Sequence, residues 1–163
     1  MTIGRIVRSA DFERVLGSPS RVRSSHFAVH YIAARPSQPA KPAKVLARAL
    51  PTDSAELSTG GAQVIPRPVD DLVADGLPEA AWLGAIVPKR HAKRAVTRSL
   101  LKRQIRAAFN NLPSLPAGLW VVRLRTPFDR KLFPSASSEA LRAAAHDELS
   151  ALVSRVLARS GRP

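Results

Sequence analysis

The chain contains no cysteine, one methionine and only eight aromatic residues among its 163 (Phe 5, Trp 2, Tyr 1). Without cysteine there are no disulfides, no thiolate nucleophile and no thiolate metal centre, and a reducing compartment, the cytoplasm, is the expectation. Acids are scarce: 12 Asp and Glu stand against 26 Lys and Arg, giving a formal net charge of +14 and a pI near 11.6. No apolar run approaches the roughly 20 residues that a bilayer crossing needs. The first twenty residues carry Asp11 and Glu13 and hold no continuous apolar stretch, so no secretory signal is expected there. So few bulky aromatics also speak against a helix lying on a membrane surface.

What remains is a basic chain with a core. Its hydrophobic content of 45% suffices for a packed interior, and its length fits one domain with some excess. An excess of cations repels itself in a compact state, so a polyanionic partner, nucleic acid, accounts for it most simply. The charge is also uneven. Residues 36–80 hold seven of the fourteen prolines, no aromatic, and six acids against four bases. Pro36, Pro39 and Pro42 cannot sit in a helix interior or a central strand. The stretch reads as a flexible insertion within a single RNA-binding domain spanning 1–163, with a short helical turn near Val45–Leu50.

On either side of it the patterns are regular. Ser9 is placed to cap a short helix with Phe12, Val15 and Leu16 at helical spacing and Gly17 as its stop. His26 to Ala34 alternates as a strand, with Phe27, Val29 and Tyr31 on one face and Ala28, His30 and Ile32 on the other. Ala81 to Val87 is apolar on both faces, as a central strand would be, and Pro88 ends it. From Leu119 to Arg125, Trp120, Val122 and Leu124 point one way and Arg123 and Arg125 the other. Leu141, Ala145, Leu149, Leu152 and Val156 mark a final helix opened by serines after Pro134 and closed near Gly161. The expected order is α-β-insertion-β-α-β-α. The fold class is α/β, an α+β sandwich with a small mixed sheet of three to four strands.

Between Val87 and Phe109 the charge becomes organised. Lys89 to Arg106 contains eight Lys or Arg and no acid, within an acid-free zone from Ala80 to Phe128. On a helical wheel with Arg94 at zero, Arg98, Lys102 and Arg106 fall at about 40°, 80° and 120°, and Arg103 at about 180°. Val96, Ala107, Leu100, Ala108, Leu101 and Ile105 fill the arc from about 200° round to 20°, the expected packing side. Successive rungs rise about 6 Å, comparable to the spacing of phosphates along a strand. Like charges at i, i+4 cost a few tenths of a kcal/mol each, which a phosphate backbone would relieve. The other reading is a solvated face that aids solubility.

These residues resemble the ribonuclease P protein family. Pro88-Lys89-Arg90, Ala95-Val96, Arg98-Ser99-Leu100, Lys102-Arg103, Arg106 and Ala108-Phe109 match its strand, basic turn and basic helix, and Asp11-Phe12 and Phe27 match its first helix and strand. The likeness covers residues 9–34 and 81–157. It departs where the family's Arg-Asn-Arg reads Arg98-Ser99-Leu100. The resemblance implies a left-handed βαβ crossover, against the usual hand, and a non-catalytic subunit that binds a catalytic RNA and the 5′ leader of precursor tRNA. The holoenzyme, a cytoplasmic ribonucleoprotein with one copy of the protein, hydrolyses the phosphodiester that frees the tRNA 5′ end. Mg²⁺ belongs to the RNA, and the protein itself holds no cofactor or metal. Lys89, Arg90, Arg94, Arg98, Lys102, Arg103 and Arg106 would contact RNA. Phe12, Phe27 and either His30 or Tyr31 would stack on leader bases, a sequence-tolerant contact of about 1–3 kcal/mol per base. Core packing is the alternative for Phe12 and Phe27.

Two other functions compete. A protein-only nuclease would need a site. His26 and His30 would lie about 13 Å apart along a strand, His91 is a remote candidate for a general base, and Asp70, Asp71 and Asp75 fall in the Pro-rich stretch. Gly60-Gly61 forms no phosphate-cradling motif. A ribosomal-type RNA-binding protein would share the charge and size, and only the local pattern from Lys89 to Phe109 with Asp11-Phe12 separates it.

Overall fold

The computed structural model describes residues 2–38, 78–135 and 138–160. The helical turn expected near Val45–Leu50 and the closing Gly161 lie outside the described residues. In chain order the elements are β1 (Gly4–Arg5), α1 (Ser9–Leu16), β2 (Ser20–Arg23), β3 (Phe27–Ile32), β4 (Ala81–Ile86), α2 (Ala95–Asn110), β5 (Gly118–Leu124) and α3 (Glu139–Ser160). The strands form one sheet in the order β1-β4-β5-β3-β2. β1 and β4, and β4 and β5, run parallel; β5 with β3 and β3 with β2 run antiparallel.

The α/β class and the alternation of elements match expectation, but the sheet has five strands rather than three or four. β1 is two residues long, and β2 (Ser-Arg-Val-Arg) offers one apolar residue, Val22, as its inward contact. Neither is long enough to show a period of two, so each is defined by its partner rather than by its own pattern.

Two apolar clusters, one on each face of the sheet, build a three-layer structure. On one face Phe27, Val29, Trp120, Val122 and Leu124 pack against Leu100, Leu101, Ile105 and Phe109 of α2 and Leu141, Ala145, Leu149, Leu152 and Val156 of α3. On the other, Leu119 and Val121 meet Ile6 and Val15 of the α1 side, with Phe12, Leu16, Ile32, Trp82 and Ile86 around them. The alternating faces read from β3 and β5, and all five apolar positions of the last helix, lie where expected. β4 is covered on both sides because it is a central strand flanked by parallel partners.

Helix ends differ from expectation at one point. α1 starts at Ser9 itself, with Arg8 as the capping residue and no side-chain cap bond. Gly17 does end α1, but in a right-handed conformation (φ −66°) that needs no glycine. α3 is capped as expected by a serine: Ser138 Oγ accepts the Leu141 N–H at 3.1 Å. Gly118, which opens β5 at φ +138°, is required twice over, since a β-carbon there would also press on the Ile32 carbonyl and the Tyr31 ring.

Candidate nucleic-acid interface

Helix α2 is anchored by Leu100, Leu101, Ile105, Ala108 and Phe109, all buried. Burying each large side chain is worth about 1.5–3 kcal/mol, so one face is held firmly and the other is free to carry charge. The packing arc is narrower than the wheel indicates. Val96 is 53% exposed and Ala107 is also exposed, because only the stripe from Leu100 round to Phe109 meets α3 and β4.

The seven cations expected to contact RNA divide into three groups. Lys89 and Arg90 stand exposed in the turn after β4, where the Pro88 carbonyl accepts the N–H of both His91 (3.0 Å) and Ala92 (3.1 Å). Arg94 caps α2, and its Nη1 reaches the Pro134 carbonyl at 3.5 Å. Arg98 folds back: its Nη1 donates to the carbonyls of Lys93 (2.7 Å) and Ala92 (3.0 Å), staking the turn to the first coil of the helix. Lys102, Arg103 and Arg106 point into solvent. Among the described residues none of these three makes an ion pair. The ladder is thus a fixed base, Arg94 and Arg98, below an open upper part.

The N-terminus of α2 has no acid in its first turn and no side-chain cap. A helix of 16 residues exposes partial positive charge there. Arg90, Lys93, Arg94 and Arg130 surround it, lining a depression of about 480 Å³ with His91 and Thr97. Partial desolvation, then the charges of Arg90 and Arg123, push the His91 imidazole below its ordinary value. Such a field favours the neutral form of the ring.

The four residues expected to stack on bases do not share a surface. Phe12, half-buried, lies on the α1 face over Gly84, where any β-carbon would collide with its ring. His30 is on that same face, its Nδ1 2.9 Å from the Ser18 carbonyl oxygen. Phe27 is wholly buried on the opposite face, against Phe128, and belongs to the core. Tyr31 is on Phe27's face too. It packs against Trp120 (centroids 4.3 Å apart, rings tilted by 34°), donates to the Ala117 carbonyl at 2.8 Å and lies under Arg21. Burial raises the Tyr31 pKa and the Arg21 charge opposes the rise. A strand's alternation puts only one of His30 and Tyr31 on the face that carries Phe12, and that residue is His30.

Arg123 was not among the expected contacts. It stands half-exposed on the central strand β5, flanked in register by Ala28 and Ile86 on the α1 face. A charge on an otherwise apolar central strand was the signal that could have found it. The pair Asp11-Phe12 also acquires a physical role within this chain. Asp11 is 1% exposed, and its carboxylate accepts the Ser37 N–H (3.0 and 3.1 Å), the Ser37 hydroxyl (2.6 Å) and Arg14 (3.3 Å). This ties α1 to the chain leaving β3 and so fixes Phe12 over the sheet.

His26 belongs to a hydrogen-bonded trio with Ser24 and Glu148. His26 Nδ1 is 2.6 Å from Glu148 Oε2, and Glu148 Oε1 accepts from Ser24 Oγ (2.5 Å) and the His26 N–H (2.7 Å). Burial works against the Glu148 charge, yet these bonds outweigh it and hold its pKa below the ordinary carboxylate value. The Ser24 hydroxyl faces the carboxylate rather than a histidine base, so the trio is a latch between the β2–β3 turn and α3. Among the described residues no cluster of three His, Asp or Glu could hold a metal ion, and no helix is long and apolar enough to cross a membrane.

The sequence is similar to those of known proteins. The ribonuclease P protein component of Paraburkholderia xenovorans is 44% identical over 77 residues, 46% of this chain and 55% of that protein. Its counterpart in Bordetella parapertussis is 46% identical over 84 residues, 51% of this chain and 64% of that protein. The chain therefore spans between about half and two thirds of the length of these curated relatives. The Ribonuclease P family profile matches residues 3–147, a stretch that takes in all five strands, α1, α2 and the first part of α3. On that match across both layers of helices and the whole sheet, the chain belongs to the Ribonuclease P family.

Proposed function

We propose that this chain is the protein subunit of the ribonuclease P ribonucleoprotein, binding the catalytic RNA and the 5′ leader of precursor tRNA to assist endonucleolytic maturation of the tRNA 5′ end. The observation that carries the proposal is α2, whose open face presents Lys102, Arg103 and Arg106 with no acid from Ala80 to Phe128 to answer them. Lys89, Arg90 and Arg94 extend that cationic surface to the helix N-terminus. Arg98 supports it by holding the turn, a positioning role compatible with a further contact through its remaining donors.

The single-stranded leader fits the other side of the sheet. Phe12 supplies a stacking surface, His30 a second ring and Arg123 a phosphate partner, a combination suited to leaders of any sequence. The protein contributes no catalytic group. Bond cleavage and its Mg²⁺ ions belong to the RNA, and the subunit works as a single copy in the cytoplasmic particle.

Reconstitution tests this. Purified protein is mixed with a bacterial ribonuclease P RNA and 5′-labelled precursor tRNA at low Mg²⁺, each component being omitted in turn. Cleavage at the mature 5′ end only with RNA and protein together is the expected result. Cleavage by protein alone would overturn it and return attention to His91. Tight RNA binding without stimulated cleavage would point to a ribosomal-type RNA-binding protein.

A further inference from the structure

A second concentration of positive charge lies away from α2, where the sheet ends. β2 is the outermost strand, and the last turns of α3 run alongside it. Arg21 and Arg23 from the strand and Arg155 and Arg159 from the helix line one depression of about 470 Å³. Among the described residues, none of the four makes an ion pair.

Each guanidinium is held in place without being neutralised. Arg155 Nη1 donates to the Arg23 carbonyl at 3.5 Å and Arg159 Nη1 to the Arg21 carbonyl. Arg23 Nε donates to Ser20 Oγ. Arg21 is the extra residue of a β-bulge, where the register slips between Ser20 and Val22. Bulges re-aim side chains, and this one sets the Arg21 guanidinium 5.0 Å above the Tyr31 ring. A guanidinium has five N–H donors, and these bonds use at most one or two of them. Sealing the edge strand accounts for Arg155 and Arg159, and the helix C-terminus favours a cation at Arg159. Neither explains why Arg21 and Arg23 converge on the same depression, against mutual repulsion.

We propose that Arg21, Arg23, Arg155 and Arg159 form a second phosphodiester-binding surface that takes the backbone of the same catalytic RNA; this rests on the function proposed above. The fork of a guanidinium matches phosphate oxygens. The catalytic RNA is favoured over the leader because α3 and α2 share one face of the sheet, whereas Phe12, His30 and Arg123 occupy the other. A large folded RNA reaches two separate patches on one side of the protein.

The test measures binding of the full chain to a bacterial ribonuclease P RNA across a range of salt, comparing wild type, R155Q/R159Q, R23Q and K102Q/R106Q. Each phosphate contact contributes about 0.9 to the slope of log K against log salt. R155Q/R159Q is expected to lower that slope by about 2 and R23Q by about 1. A merely structural role would shift the melting temperature and leave the slope alone. Should R155Q/R159Q fold poorly, R23Q, whose side chain is hydrogen-bonded to Ser20, decides. Wild-type slopes in the patch variants alongside a reduced slope in K102Q/R106Q would overturn the second surface and spare the proposed function. An unchanged slope in all three would overturn both. Unchanged RNA binding with lost affinity for polyglutamate would likewise overturn it, in favour of an acidic polypeptide.

Discussion

Helices α2 and α3 lie side by side on one face of the sheet, each burying a stripe of aliphatic side chains against the same strands. Their outer faces differ. α3 carries Glu139, Asp147 and Glu148 against Arg142, Arg155 and Arg159, pairs Glu139 with Arg142 at 3.3 Å, and is capped by Ser138. α2 carries Arg98, Lys102, Arg103 and Arg106 with no acid, no side-chain cap and no acidic first turn. Two helices with one packing task show what packing demands, and an unbalanced cationic face is no part of it. The charge on α2 is therefore not required by packing, which is what the proposed RNA contact expects.

Core truncations should erase the difference and produce the largest effects. Phe109→Ala in α2 is expected to cost about 3–5 kcal/mol and Leu149→Ala in α3 about 2–5 kcal/mol, since both side chains are fully buried. Chemical denaturation would measure this, and a loss below about 1 kcal/mol at either position would mean that its helix does not bury that side chain in the core. Charge removal should then separate them. K102Q/R106Q is expected to leave the melting temperature unchanged or slightly raised, by relief of like-charge repulsion. Its RNA affinity should fall at least tenfold at moderate salt, with the salt slope lower by about 2. A mobility-shift titration that finds wild-type affinity would break the contrast.

A smaller effect belongs to the latch on α3. Glu148 has its pKa depressed in the folded chain, so its contribution is present above the ordinary carboxylate range and lost as pH falls through the folded value. Glu148→Gln should cost about 1–3 kcal/mol near neutral pH through the bonds it weakens. Its stability should also fall less steeply than wild type on acidification, which thermal melts between neutral and acidic pH would reveal. The smallest effect is expected at the exposed pair: Arg142→Gln should cost at most about 0.5 kcal/mol and leave RNA binding untouched.

Much of this was legible from residue order. The stripe Leu141, Ala145, Leu149, Leu152 and Val156 and the alternation through β3 and β5 are periodic over several turns or residues, long enough to rise above chance. Val96 failed because a wheel assigns direction but not the width of the contact. Ser9 failed as a cap because the helix boundary fell one residue earlier. Phe27, whose alternatives were leader stacking and core packing, is core, because aromatic character reports stacking capacity and not exposure.

By itself the sequence determined the order of the main elements, the faces of each strand and the acid-free cationic face of α2, because these follow from backbone periods of 2 and 3.6 acting within a segment. Only the tertiary structure decided the rest. It enlisted β1 and β2 into the sheet, put His30 rather than Tyr31 on the face that carries Phe12, turned Arg98 onto the Ala92 and Lys93 carbonyls, and gathered four arginines at the β2 edge. Each of those outcomes depends on partners distant in the chain, and a local period carries no record of which distant groups will meet.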